Sequence, residues 1–313
     1  KIIQKPNKVY WESILANSLS PLTNRSIQGL YAPGSTFKMI VAIAALKYGI
    51  INSNSTHSCS GKIEFGDRLY HCWKTTNGHG KMNVTDAITQ SCDVFFYEIS
   101  KKLGIDRIAE VAKDFGLGQT FDIFLPNQKK GIIPTKKWKK NKYGESWYAG
   151  ETLISGIGQG FVLTNPFQLA VMTSIIASNG KMVEPTIIKS DDINFQTNEK
   201  YLNEIKIIKK AMFKVVNENK GTAFKSRLEN IKFAGKTGTS QVRRISLAER
   251  ESDDFREKEQ KWKNRDHALF VGYMPYDDPK YAISVIIEHG GSGASTAAPI
   301  AKQVFNYINE LKI

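Results

Sequence analysis

The stretch that most constrains this chain runs from Tyr31 to Lys38 and on into the apolar segment Met39 to Leu46. Pro33-Gly34 breaks the backbone, and beyond it Phe37, Ile40, Val41, Ala44 and Ala45 recur at helical spacing on one face. Ser35 therefore falls where a loop passes into a largely buried helix. Serine at such a junction is commonly an N-cap, but a capping box would place Glu or Gln three residues on, where this chain has Lys38. A cation in the first helical turn opposes the helix dipole, so stability does not account for it. Burial among apolar neighbours favours the neutral form of an amine, and a neutral amine beside a hydroxyl can take its proton. Ser-x-x-Lys alone is a frequent coincidence, and its meaning depends on the rest of the chain.

Two later stretches bear on it. Ser91-Cys92-Asp93 lies where two helical pieces, together spanning Val84 to Leu103, are expected to meet. Taken alone, Ser91 would cap the second piece and Asp93 would suit its positive end. Lys236-Thr237-Gly238-Thr239 lies on an expected strand from Ile231 to Gln241. Glycines at 235 and 238 weaken that strand, which marks a bulge or a close approach by another group, a ligand along the strand edge included.

In this order, Ser-x-x-Lys, Ser-x-Asp and Lys-Thr-Gly resemble the three signatures of the penicillin-recognising serine enzymes. The likeness extends to Leu19-Ser20-Pro21-Leu22-Thr23-Asn24-Arg25, leading into Tyr31–Lys38, which looks like the class B transpeptidases. Gly78-His79-Gly80, Gly158-Gln159-Gly160, Thr164 to Ala170 and Glu288-His289-Gly290-Gly291 look like the elongation subgroup, penicillin-binding protein 2, as does Asp93 in place of the commoner Asn.

The resemblance implies peptidoglycan D,D-transpeptidation, inhibited covalently by β-lactams. Ser35 would be the nucleophile and Lys38 its base, with Ser91 relaying a proton. Asp93, Lys236, Thr237, Gly238 and Thr239 would hold the substrate, a D-Ala-D-Ala stem peptide. The alternative is a serine β-lactamase or β-lactam sensor. A class A lactamase needs a glutamate for hydrolytic water, and Glu145 and Glu151 lie in no pattern that marks such a device.

The fold class expected is α/β (α+β): an antiparallel sheet flanked by helices plus an all-helical lobe. The transpeptidase domain would occupy residues 1–313, with a helical lobe over about 50–200 inserted in a sheet lobe of about 20–50 and 205–313. Expected helices are a short amphipathic piece near Tyr10 to Leu19, then Arg107 to Phe115, one starting at Pro166, Glu204 to Asn219 and Ala297 to Leu311. His267 to Met274 and Tyr281 to Glu288 read as a hairpin about Pro275–Pro279. Residues 52–80 read as loop or short strands, and residues 118–163 as an irregular passage. Arg243 to Asp266, dense in both charge signs, reads as an excursion.

Charge narrows the function. The net charge of +14 invites a nucleic-acid reading, but the lysines are scattered, and the densest group, Lys129 to Lys142, has no phosphate loop or aromatic-studded basic strand beside it. A solvated surface is the first reading and an anionic membrane or acidic partner the second, and nucleic acid is not an expected partner. No apolar run reaches membrane-span length. The chain opens on Lys1-Ile2-Ile3 without Met, so an N-terminal anchor and pedestal of a longer parent are expected to be absent from it. By resemblance the parent would sit at the periplasmic face of the inner membrane with a RodA-type glycosyltransferase and MreC.

The three cysteines, Cys59, Cys72 and Cys92, share one stretch with His79. Their spacing is wider than in a compact zinc finger, and small buried hydrophobes or a Cys59–Cys72 disulfide are competing readings. The long glycine-rich loop needs something to hold it, and some elongation transpeptidases carry a metal at positions matching His79 and Cys92. A structural zinc on Cys59, Cys72, His79 and Cys92 is expected, with His71 or Asp67 in reserve. Acyl transfer itself would need no cofactor.

Overall fold

The computed structural model describes residues 7–188, 195–197, 199–242 and 262–311. The excursion expected over Arg243 to Asp266 therefore lies largely outside the described residues. The N-terminal helix α1 (Lys8–Leu15) is capped by the Asn7 side chain but buries no residue, so its amphipathic pattern finds no partner face among the described residues. A single turn, α2 (Arg25–Gln28), follows. A 3₁₀ turn over Gly34–Phe37 then leads into α3 (Lys38–Lys47).

Every residue of α3 from Lys38 to Ala45 is buried, not one face only. The run of Ile, Val and Ala reads as well for a helix enclosed on all sides as for a stripe. It packs against α5 (Asp93–Leu103), α6 (Ile105–Asp114) and α10 (Leu202–Asn217).

Between α3 and α4 (Val84–Thr89) the chain makes two antiparallel ribbons. β1 (His57–Cys59) pairs with β4 (Gly80–Met82), and β2 (Lys62–Phe65) with β3 (Arg68–His71). The passage read as irregular carries two helices, α7 (Lys136–Tyr143) and α8 (Ala149–Gly156). α9 (Pro166–Ala177) starts as its capping signal predicts, with the Asn165 side chain accepting from the Gln168 N–H and Pro at the first turn. β5 (Lys181–Val183) and β6 (Phe195–Thr197) form a third ribbon.

The main sheet has the order β7 (Ala234–Ser240), β8 (His267–Met274), β9 (Tyr281–Ile287), antiparallel throughout. Nearly every residue of β7 and β8 is buried, so both faces of these strands are covered. α9, α10 and the last helix α11 (Ala298–Glu310) pack on it, with the Phe305 ring 5.2 Å from Phe233. The sheet and helices expected from the sequence are thus present.

Candidate active site

The three motifs meet through backbone geometry. Gly34 has φ +52°, and a methyl group there would collide with the Thr239 carbonyl. Its N–H donates to the Gly158 carbonyl at 2.9 Å. Only glycine fits both demands, and the result is that Ser35 is presented from a tight turn directly beneath β7. Gly238 meets the same turn from the other side. A methyl there would lie 2.9 Å from Thr36 Cγ2 and 3.1 Å from the Pro33 carbonyl oxygen. The close approach inferred from the strand glycines is therefore made by the chain itself, at the Ser35 turn. Ser35 is not an N-cap: it lies inside the 3₁₀ turn, and no side chain caps that turn.

Ser91 is placed by a helix end. Its N–H donates to Ile88 O at 3.2 Å and the Cys92 N–H to Ala87 O at 2.9 Å, the two bonds of a Schellman motif. Ser91 takes the left-handed position of that motif, φ +57°, where glycine is usual. The capping role weighed for it does not hold, because the residue before α5 is Cys92 and its side chain makes no cap bond.

Lys38, fully buried, reaches across to this junction. Its Nζ lies 2.6 Å from Asp93 Oδ1, donates to Ser91 O at 3.0 Å, and is 3.3 Å from Ser91 Oγ. Asp93 is itself fixed, its Oδ2 accepting the Trp73 N–H at 2.9 Å. The second lysine, Lys236, is wholly buried and donates to Thr237 O at 3.0 Å. Burial pushes its amine well below the ordinary lysine value, and the charge of Lys38 adds to the effect while Asp93 opposes it.

Ser35, Ser91, Asp93, Thr237, Gly238 and Thr239 line one cleft of about 920 Å³, and the β3 side of the β2–β3 ribbon and Trp73 form part of its wall. Gln159 and Thr222 also line it, and sequence reasoning gave neither a role. Gln159 donates through Nε2 to Thr239 O at 2.9 Å, locking the outer end of β7. Its signal was the Gly-Gln-Gly run, whose glycines let that loop reach the Ser35 turn. Thr222 carried no signal, since it belongs to no spacing pattern.

Cys59, Cys72, His79 and Cys92 converge beside the cleft, with their ligand atoms all within 4.8 Å of one another. Pairing of Cys59 with Gly80 across β1 and β4 brings His79 to the sulfurs, its Nδ1 3.6 Å from Cys59 Sγ and 3.4 Å from Cys72 Sγ. The three thiols are buried and none is bridged. Interaction between the neighbouring Cys72 and Cys92 thiols holds Cys72 low and, with burial, pushes Cys92 up. Tetrahedral zinc with Zn–S of about 2.3 Å spaces its ligands roughly 3.8 Å apart, so this donor set and its spacing fit the metal. His71 and Asp67, the reserve ligands, line the cleft instead.

Glu145 and Glu151 are both engaged by Lys139, at 3.4 and 2.6 Å, and neither lines the cleft. Lys139 is itself buried, a correction to the reading of its basic cluster as solvated surface.

A serine turn set under the edge of an antiparallel sheet, with helices supplying the groups opposite, is the layout of the penicillin-recognising serine enzymes. The profile of the penicillin binding protein transpeptidase domain matches residues 3–306. The chain belongs to that family. Peptidoglycan D,D-transpeptidase MrdA of Haemophilus influenzae is 36% identical over 313 residues, 95% of this chain and 47% of that protein. MrdA of Escherichia coli K12 is 32% identical over 312 residues, 95% of this chain and 48% of that protein. Penicillin-binding protein PBP2 of Helicobacter pylori, solved in complex with MreC, superposes with TM-score 0.86 at 32% identity, covering 97% of this chain and 54% of that one. PBP2 of Pseudomonas aeruginosa in complex with WCK 5153 gives TM-score 0.82 at 34% identity over 96% of this chain and 63% of that one. The chain spans about half the length of the curated relatives it matches.

Proposed function

We propose that this chain is the transpeptidase domain of an elongation-type peptidoglycan D,D-transpeptidase. The observation that carries the reading is the buried Lys38–Asp93 pair at 2.6 Å, reaching Ser91 in the cleft that Ser35 shares with Thr237 and Thr239. In its neutral form Lys38 takes the Ser35 hydroxyl proton, and the ammonium it becomes is held by Asp93. The Ser35 oxygen adds to the penultimate D-Ala carbonyl. The N–H groups of Ser35 and Thr239 receive the developing oxyanion, where one such donor is worth about 2.7–4 kcal/mol of barrier. Ser91 passes a proton to the departing D-alanine nitrogen as the C–N bond breaks, leaving an ester on Ser35. An amine of a neighbouring stem peptide then attacks that ester, losing its proton as Ser35 recovers one, and the product is a peptide cross-link. The substrate's terminal carboxylate, bound by the Thr237 and Thr239 hydroxyls, would favour the charged form of Lys236 against the effect of burial, and Lys236 would then lend it positive potential. β-Lactams would acylate Ser35 by the same first step.

The β-lactamase reading finds no support in the site, because the two glutamates weighed for hydrolytic water are spent on Lys139. Cys59, Cys72, His79 and Cys92 would hold a zinc ion that supplies structural cross-linking and no step of the reaction. The cleft would lie between a helical lobe of about residues 50–200 and a sheet lobe of about 20–50 and 205–313. The solved relatives support further parts of the reading: one is a complex with MreC, and another, 30% identical, belongs to a peptidoglycan synthase complex that joins polymerisation to cross-linking. We propose the same kinds of partner here, MreC and a RodA-type glycosyltransferase, at the periplasmic face of the inner membrane.

Fluorescent penicillin labelling followed by intact-mass analysis tests the reading. A stable penicilloyl adduct on Ser35 is expected, abolished in Ser35→Ala and nearly so in Lys38→Ala. Labelling of Ser35→Ala at the wild-type rate, or rapid hydrolytic turnover of penicillin, would overturn it.

A further inference from the structure

Thr222 sits in the turn between α10 and β7, outside every motif, yet its hydroxyl oxygen lies 2.7 Å from that of Thr237. The turn is firmly built. The Thr222 N–H donates at 3.3 Å to the carbonyl of Thr89, two residues before Ser91. The Ala223 N–H donates to Val215 O at 3.0 Å and the Phe224 N–H to Gly221 O at 3.1 Å. Thr222 therefore ties the helix junction that carries Ser91 to the strand that carries Thr237, and it lines the cleft with both.

A hydroxyl has one proton to give and lone pairs to accept with. In the substrate-free cleft either threonine oxygen can be the donor. A substrate carboxylate accepts only, so Thr237 must spend its single proton on it. The bond between the threonines can then run in one direction alone, from the Thr222 hydroxyl to Thr237 Oγ1. The resulting chain, Thr222 to Thr237 to carboxylate, is polarised end to end, and each bond strengthens the next. We propose that Thr222 is a positioning residue for the terminal carboxylate of the substrate: it donates to Thr237 and so orients that hydroxyl towards the anion. The inference rests on the reading of Thr237 as a carboxylate ligand.

Valine keeps the shape of Thr222 and removes the donor, whereas serine keeps the donor. The test compares acylation of Ser35 by benzylpenicillin and by its methyl ester, which lacks the anion. Thr222→Val is expected to slow acylation by the acid about tenfold, the worth of one hydrogen bond in this range, and to leave the ester rate unchanged. Thr222→Ser should stay within about twofold of the wild type with both, since its hydroxyl is retained. The acid-to-ester ratio does not depend on how much protein is folded, and Thr222→Ala measured the same way supplies a second variant. Equal losses with acid and ester would show that Thr222 only shapes the turn, and would overturn the proposal. Thr237→Val, run in parallel, separates the two levels. If it shows a carboxylate-dependent loss and Thr222→Val does not, the inference about Thr222 fails alone. If Thr237→Val shows none, the reading of Thr237 fails and takes the inference with it.

Discussion

At the scale of single residues, Ser91 shows how a site can be kept at the expense of the fold. It occupies the left-handed position of a Schellman motif at φ +57°, a conformation in which a Cβ costs about 1–2 kcal/mol. What the fold receives in return is a hydroxyl 3.3 Å from Lys38 Nζ on a residue that lines the cleft. Ser91→Gly should therefore raise stability to urea by about 1 kcal/mol while slowing acylation of Ser35 about 10²-fold or more, the usual worth of a positioned proton carrier. Ser91→Ala, which keeps the Cβ and loses the hydroxyl, should slow acylation equally with no gain in stability. A stability loss in Ser91→Gly as large as that in Ser91→Ala would refute the strain argument. The sequence showed that two helical pieces meet at Ser91, because Gly104 and the apolar spacing on either side fix them. It did not show the left-handed turn, which depends on the carbonyls of Ala87 and Ile88 finding donors five and three residues on, respectively. For the same reason it could not show Thr222, whose role comes from a contact with a strand fifteen residues away.

Among the elements, α7 and α8 are the clearest failure of pattern reading. α7 is Lys136–Tyr143, with sequence KKWKKNKY and no apolar stripe to signal a helix. Its end signals were present: Thr135 accepts from the Trp138 N–H at 3.0 Å, and Gly144 follows in the left-handed region at φ +72°. What holds it is a buried charge where a stripe would put a leucine. Lys139 enters between Glu145 and Glu151, its Nζ 4.2 Å from the centre of the Tyr148 ring, and Glu151 Oε2 also accepts the Tyr148 N–H at 2.8 Å to start α8. The Trp138 ring packs 5.3 Å from Phe161. α8 in turn delivers Gly158 and Gln159 to the Ser35 turn and to Thr239. Lys139→Met should thus lower the melting temperature, because it leaves Glu151 part-buried without its cation. It should also slow acylation although it lies outside the cleft. Wild-type acylation together with a lowered melting temperature would mean that α8 does not depend on Lys139 to place the loop. By contrast α9, with Asn165, Pro166 and Gly180, and the β8–β9 hairpin, with its Pro-rich turn, were legible because cap, period and breaker agreed.

Across the whole molecule, the cleft has one wall built on the main sheet and another built on the β2–β3 ribbon, which has no hydrophobic core of its own. Both β2 and β3 are exposed or half-buried along their length. Two-stranded ribbons of this size are marginal in water, so the wall needs an anchor. Aromatic contacts supply part of it, Tyr70 lying 5.6 Å from Tyr97 on α5. The cysteine–histidine cluster is placed to supply the rest. Cys59 ends β1, Cys72 follows β3, His79 precedes β4 and Cys92 precedes α5, so one ion would join four segments. It would also reach the site, since Cys72 Sγ accepts the Asp93 N–H at 3.3 Å and Asp93 holds Lys38. Three buried, unbridged thiols and an imidazole nitrogen crowd together there, a donor set that suits a borderline cation better than a close-packed apolar core does. Zinc would bind the thiols as thiolates, displacing their protons. The expected result of metal analysis on the purified chain is near-stoichiometric zinc, lost in Cys59→Ser. Stripping the metal with a chelator should lower the melting temperature, speed hydrogen exchange over residues 57–82 and slow acylation of Ser35, with all three recovering when zinc returns. Metal-free protein with three thiols open to alkylation and unchanged exchange over that stretch would rule the zinc cross-link out and leave the wall to its aromatic contacts and to hydrogen bonds such as that from the Trp73 N–H to Asp93.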